Sequence, residues 1–128
     1  MPEFLTVDDV LELHVGQINV YGGSEGLRSS DLLQSAIAQP QATFGGHYLH
    51  ADLFQMAAAY LFHLVQNHPF VDGNKRIGLE AALVFLELNH QSIKVNDEQL
   101  VELVLGVAQG QIDKTQIAEF FRTHTVTA

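Results

Sequence analysis

Apolar residues recur along this chain at helical spacing far more than in strand-like alternation. Val7, Val10, Leu11, Val15 and Ile18 fall on one helical face. Thr6 is placed to cap that helix, Asp8 and Asp9 suit its positive end, and Gly22-Gly23 supplies the backbone freedom that ends it. A loop over Ser24 to Leu27 leads to a second, short helix with Ser29, Ser30 and Asp31 as capping residues. Its apolar stripe is Leu32, Leu33, Ala36 and Ile37, and Pro40 forbids continuation. Gln41 to Tyr48, with Gly45-Gly46 among Phe44, His47 and Tyr48, reads as an exposed turn or small hairpin.

Two segments are apolar around most of their circumference, as helices buried in a core must be. Asp52 to Gln66 carries Leu53, Phe54, Ala57, Ala58, Leu61, Leu64 and Val65, and Ile77 to Leu88 is richer still. Asn96 with Gln99 forms a capping box for a helix over Asp97 to Ala108, stopped by Gly110. Asp113 caps a last helix in which Ile117, Phe120 and Phe121 face the core, and Thr123 to Ala128 reads as a frayed tail. Ser92 to Val95 is the only strand candidate beyond the hairpin. The pattern predicts an all-α single domain of about six helices, spanning residues 1-128, with a small flap hairpin or loop.

Composition narrows the function. A chain of 128 residues with 47% hydrophobic content suits one core and leaves no room for a second. Fifteen acidic against six basic residues give a net charge of -9, which repels a nucleic-acid backbone and argues against direct nucleic-acid binding. A few cations at one place still suffice for a single nucleotide. The absence of cysteine excludes disulfides and fits a reducing compartment. Met1-Pro2-Glu3-Phe4 does not resemble a signal peptide, and no run approaches the ~18 apolar residues of a membrane span. A soluble, cytoplasmic protein with no membrane association is expected.

Between the two most apolar segments lies His68-Pro69-Phe70-Val71-Asp72-Gly73-Asn74-Lys75-Arg76, where local packing rules break. Gly73 and the N–H groups leading into the next helix can form an anion-binding nest at the positive end of that helix. Arg76 can grip phosphate oxygens with a planar fork, and the Asn74 amide can donate to another oxygen or cap the helix. Asp72 is a hard oxygen ligand, and one carboxylate with phosphate oxygens and waters is the usual way to hold Mg²⁺ beside a nucleotide. His68, an imidazole on the same loop, is a candidate general base for an attacking hydroxyl. Phe70 is expected to plug into the core, with Pro69 restricting the loop's entry. The bland reading makes Asp72-Gly73 a tight turn and Asn74 a cap, but turn chemistry requires neither His68 nor Arg76.

This string resembles the HxFx(D/E)GNxR motif of the Fic/Doc superfamily. Six fixed positions arise by chance on the order of 10⁻⁸ per starting point. The resemblance also takes in Leu13-His14 through Tyr21-Gly22-Gly23, Phe85-Leu86-Glu87-Leu88-Asn89, and Gly106 through Ile112, and the Doc (death-on-curing) toxin group is the most similar part of the family. It implies a Fic/Doc-type bundle with the motif loop between two core helices, ATP and Mg²⁺ as cofactors, and modification of a protein hydroxyl. His68, Asp72 and Arg76 would be catalytic, with Asp72 meeting Mg²⁺ through the nucleotide; Gly73, Asn74, Lys75 and Arg76 would bind nucleotide phosphates. A toxin is implied, neutralised by a cognate antitoxin and aimed at a translation factor such as elongation factor Tu.

Two departures bear on the chemistry. Adenylylating members usually carry Gly where Lys75 stands and a further Arg where this chain has Leu79. A lysine adds bulk and charge in the phosphate pocket, and loss of the second Arg removes a clamp, so the Doc-like transfer of phosphate to a Ser/Thr hydroxyl is the first reading. Gly73, where Doc has Ala, keeps AMP transfer as the alternative, and a catalytically silent protein-binding module is the alternative of another class. The self-inhibitory Ser/Thr-xxx-Glu-Gly/Asn pattern of some members is absent, since Tyr21 stands in the Ser/Thr place before Glu25-Gly26. Two histidines, His47 and His50, with Asp52 lack a firm third metal ligand. His14, His63 and His90 read as packed or partly exposed helical residues, and His124 as part of the tail.

Overall fold

In the computed structural model, which describes residues 1–127, six helices surround one core. They are α1 (Val7–Tyr21), α2 (Ser30–Ala38), α3 (Leu53–Asn67), α4 (Asn74–Leu88), α5 (Asp97–Ala108) and α6 (Lys114–His124). Strands β1 (Thr43–Phe44) and β2 (His47–Tyr48) form the expected hairpin, an antiparallel pair joining Thr43 to Tyr48 and Phe44 to His47. The caps follow the sequence: Thr6, Ser29, Asp52, Asn96 and Asp113 each accept a hydrogen bond from a backbone N–H of the first turn that follows.

Helices α3 and α4 share the most extensive contact in the molecule. Met56, three consecutive alanines, Tyr60 and Leu61 of α3 are all buried, and the small alanines let neighbouring helices approach from several sides. Tyr60 is tolerated because its hydroxyl accepts from the Leu5 N–H at 2.9 Å. Helices α2 and α6 pack on α3, and α1 packs on α4. Helix α5 meets α3 and α4 less extensively, and the space beside it becomes the cleft described below.

The C-terminal segment differs from expectation. Thr123 and His124 complete α6, and β4 (Thr125–Thr127) pairs antiparallel with β3 (Gln91–Ile93) instead of fraying; Ala128 lies outside the described residues. The Thr-Val-Thr run is suited to a pleated edge, and Thr125 adds a side-chain bond to Gln91 Oε1 at 3.2 Å. The strand expected at Ser92 to Val95 begins at Gln91 and ends at Ile93. Phe121 is fully buried, whereas Phe120 is partly covered and edge-on to it. His90 lies beyond α4 with φ of 67°, so it is a turn residue and not a helical one.

Candidate active site

A cleft of about 810 Å³ opens where α3 ends and α4 begins, between α5 and the end of α1. The motif residues His68, Asp72, Gly73, Asn74, Lys75 and Arg76 all border it. Helix α3 stops at His68 because Pro69 follows, which disfavours helical geometry at the preceding residue. His68 takes a left-handed conformation, φ 52° and ψ 53°, uncommon outside glycine. Arg28 holds that geometry, its Nε donating to the His68 carbonyl at 2.6 Å and its second guanidinium nitrogen to the Asn67 carbonyl at 2.9 Å. These are carbonyls that a helix end leaves without partners. The loop expected at Ser24 to Leu27 forms and also clasps the motif: Val71 N–H donates to the Gly26 carbonyl at 3.0 Å, and Leu27 bridges Phe70.

Phe70 is buried to 1% exposure, as expected. Asn74 does not form the expected helix cap. Its Oδ1 accepts from the Phe70 N–H at 2.9 Å, its Nδ2 donates to the Phe70 carbonyl at 3.0 Å, and it is 4% exposed. The side chain therefore does not cap α4; its Nδ2 spends one of two hydrogens inside the loop, and the residue lines the cleft. The loop buries both polar groups of Phe70 away from any backbone partner, and an amide carries a donor and an acceptor at the spacing needed to satisfy both. With Asn74 so engaged, α4 starts at a Gly73 N-cap with φ 82°, and no side chain caps it. The first-turn N–H groups are left for an anion.

Asp72 and the two cations complete the rim. The Asp72 carboxylate accepts from its neighbour Gly73 N–H at 2.8 Å and from Ser24 N–H at 3.2 Å, and its backbone carbonyl receives His14 Nε2 at 2.8 Å. Gly23 is required for this approach, because a Cβ there would stand 2.6 Å from Asp72 Oδ2. Each carboxylate oxygen keeps a lone pair, and no three or more acidic, His or Cys groups cluster as a metal cage among the described residues. That donor set fits a cation shared with phosphate oxygens and water, not one held by protein alone. Lys75 and Arg76 are exposed and make no salt bridge among the described residues, whose ion pairs both belong to Arg122. The Arg76 guanidinium lies 4.6 Å over the Tyr21 ring, and Gln17 donates to the Arg76 carbonyl at 3.2 Å. Leu79 forms part of the cleft wall.

Three positioning groups went unassigned in the sequence. Arg28 and Ser24 carry no spacing signal, because they act across about 40 residues or more of chain. His14, read as merely packed, is 3% exposed and stacks on Phe70 with centroids 3.8 Å apart. A separate basic cluster lies between α3 and α6, where Lys114 Nζ is 3.1 Å from His63 Nε2 and 3.5 Å from His50 Nε2. Burial, then Lys114 and His50, push His63 down to about 4, and burial with Lys114 also lowers His50. Asp52 caps α3 and pairs with Arg122 at 2.8 Å.

Comparison with known proteins agrees with this arrangement. The model of the family described as "Fic/DOC family" matches residues 4–86. Over 119 residues the chain is 32% identical to the protein of Escherichia phage P1 named "Protein kinase doc", covering 92% of each chain. It is 44% identical over 89 residues to "Toxin Doc" of Mycolicibacterium smegmatis, covering 70% of this chain and 66% of that one. No helix among the described residues is long and apolar enough to cross a membrane.

Proposed function

This chain belongs to the Fic/DOC family, and from that premise we propose that it is a Doc-like toxin that transfers phosphate from ATP to a Ser or Thr hydroxyl of a protein target. One observation carries the reading: Lys75 and Arg76 stand on the first turn of an uncapped helix with no salt bridge among the described residues, in one cleft with His68 and Asp72. In this reading His68 accepts the hydroxyl proton as the oxygen forms its bond to the γ-phosphorus. The bond to the leaving ADP oxygen breaks, while Lys75, Arg76 and the helix N–H groups receive the developing negative charge. Asp72 would hold Mg²⁺ supplied with the nucleotide, which neutralises phosphate charge when bound. Asn74 serves by keeping Phe70, and with it the loop, in place.

Lys75 and Leu79 favour phosphate transfer over AMP transfer, since the one adds a cation and the other removes a clamp at the outer phosphates. Gly73 weighs little for AMP transfer, because its φ of 82° already calls for glycine on backbone grounds. The target is proposed to be a translation factor, elongation factor Tu being the candidate, approached along the β1–β2 flap whose Phe44 is 82% exposed. Silencing is proposed to come from an antitoxin protein. The chain is incubated with magnesium ATP and a target-containing lysate, and proteins are then weighed intact. A phosphoryl adduct is expected; an adenylyl adduct transfers the assignment to AMP, and no adduct rejects catalysis in favour of a binding module.

A further inference from the structure

The motif loop is fixed at both ends, and a glycine peptide between them could turn. Phe70 is locked by the paired bonds from Asn74, and Val71 N–H is held by Gly26. From Asn74 onward the backbone is helix. Between these lies the Asp72–Gly73 peptide, and Gly73 tolerates nearly any φ, so rotation of that peptide has little steric cost. In a trans peptide the carbonyl and the next N–H point in opposite directions, so whatever fixes the Asp72 carbonyl also fixes the Gly73 N–H. That N–H is the one the Asp72 carboxylate accepts at 2.8 Å.

The group that fixes the carbonyl is His14, on a different helix. Its Nε2 lies 2.8 Å from the Asp72 carbonyl oxygen, which can only accept, so the proton belongs on Nε2. The same ring stacks on Phe70 with an interplanar angle of 10°. One imidazole thus touches both the anchored and the rotatable part of the loop, and it is 3% exposed, where water competes poorly for the bond.

We propose that His14 is a positioning residue that, by donating from Nε2 to the Asp72 carbonyl, locks the Asp72–Gly73 peptide so that the Asp72 carboxylate and the uncapped end of α4 meet one phosphate group. The proposal rests on the phosphate-transfer reading above. His14→Phe keeps the ring stack and removes the donor, whereas His14→Gln restores a donor at about the reach of Nε2. Loss of a partner that orients a ligating group typically costs roughly 10- to 100-fold. His14→Phe, assayed where it stays folded, should therefore lower the transfer rate by about that factor, and His14→Gln should recover most of the loss. His14→Phe with an undiminished rate, or both variants equally impaired, would overturn the proposal.

Nitrogen NMR decides the matter independently of catalysis. Wild-type His14 should carry a proton on Nε2, and the Gly73 amide resonance should move in His14→Phe and return in His14→Gln. Protonation on Nδ1 alone in the wild-type chain sinks the lock even where His14→Phe fails to fold, and so does a Gly73 resonance indifferent to both folded variants. If the wild-type chain modifies no protein, the transferase reading falls, and these resonances still judge His14.

Discussion

Replacing Asn74 by alanine separates a structural from a ligand-binding role for the most buried polar residue of the motif. The change removes the acceptor at 2.9 Å from Phe70 N–H and the donor at 3.0 Å from its carbonyl. With Phe70 at 1% and Asn74 at 4% exposure, water has little access to either orphan. Each unsatisfied buried group costs about 1–3 kcal/mol, so the pair comes to about 2–6 kcal/mol. For a domain of this size roughly 4 °C of melting temperature accompanies each kcal/mol, which places the loss at about 8 °C or more. Urea denaturation followed by circular dichroism without nucleotide reads the effect directly. A variant within about 0.5 kcal/mol of wild type, impaired only in nucleotide binding, would refute this reasoning and return the amide to the phosphate.

Three further outcomes follow from the same geometry. Gly23→Ala should destabilise by about 1–3 kcal/mol, because φ is 113°, and should weaken magnesium-nucleotide binding through the Cβ set 2.6 Å from Asp72 Oδ2; calorimetry with and without Mg²⁺ checks the second effect. His68→Gly relieves a left-handed residue and should be at least as stable as wild type on thermal melting while losing transfer altogether, so a clear drop in stability would contradict the strain assigned to φ 52°. His63, lowered in the fold to about 4 from an ordinary 6.5, favours folding in its neutral form; its contribution is complete above pH 6.5 and is lost as pH falls toward 4. The melting temperature of His63→Gln should decline less than that of wild type across that window, and parallel curves would exclude His63 as a source.

The helices were legible because their signals are local. Thr6, Asn96 and Asp113 sit three residues before partners that complete capping boxes, and each box forms. The motif loop was legible as a string, since its residues are contiguous and their chemistry converges at one helix end. What escaped was long-range: Arg28 reaches the end of α3, His14 reaches Asp72 across 58 positions, and β4 finds β3 across the fold. No periodicity records such pairings. The cap expected of Asn74 does not form for a related reason: an amide at a helix start is ordinarily a cap, and only the burial of Phe70 gives it another use.

Isothermal calorimetry of the antitoxin-free chain with magnesium ATP tests most directly whether the bare end of α4 is a phosphate site. Saturable heat is expected with wild type, with a weaker signal when Mg²⁺ is withheld or when Lys75 and Arg76 are both changed to alanine. Absence of heat from folded wild-type protein, or the same binding curve from the double variant, would contradict the account.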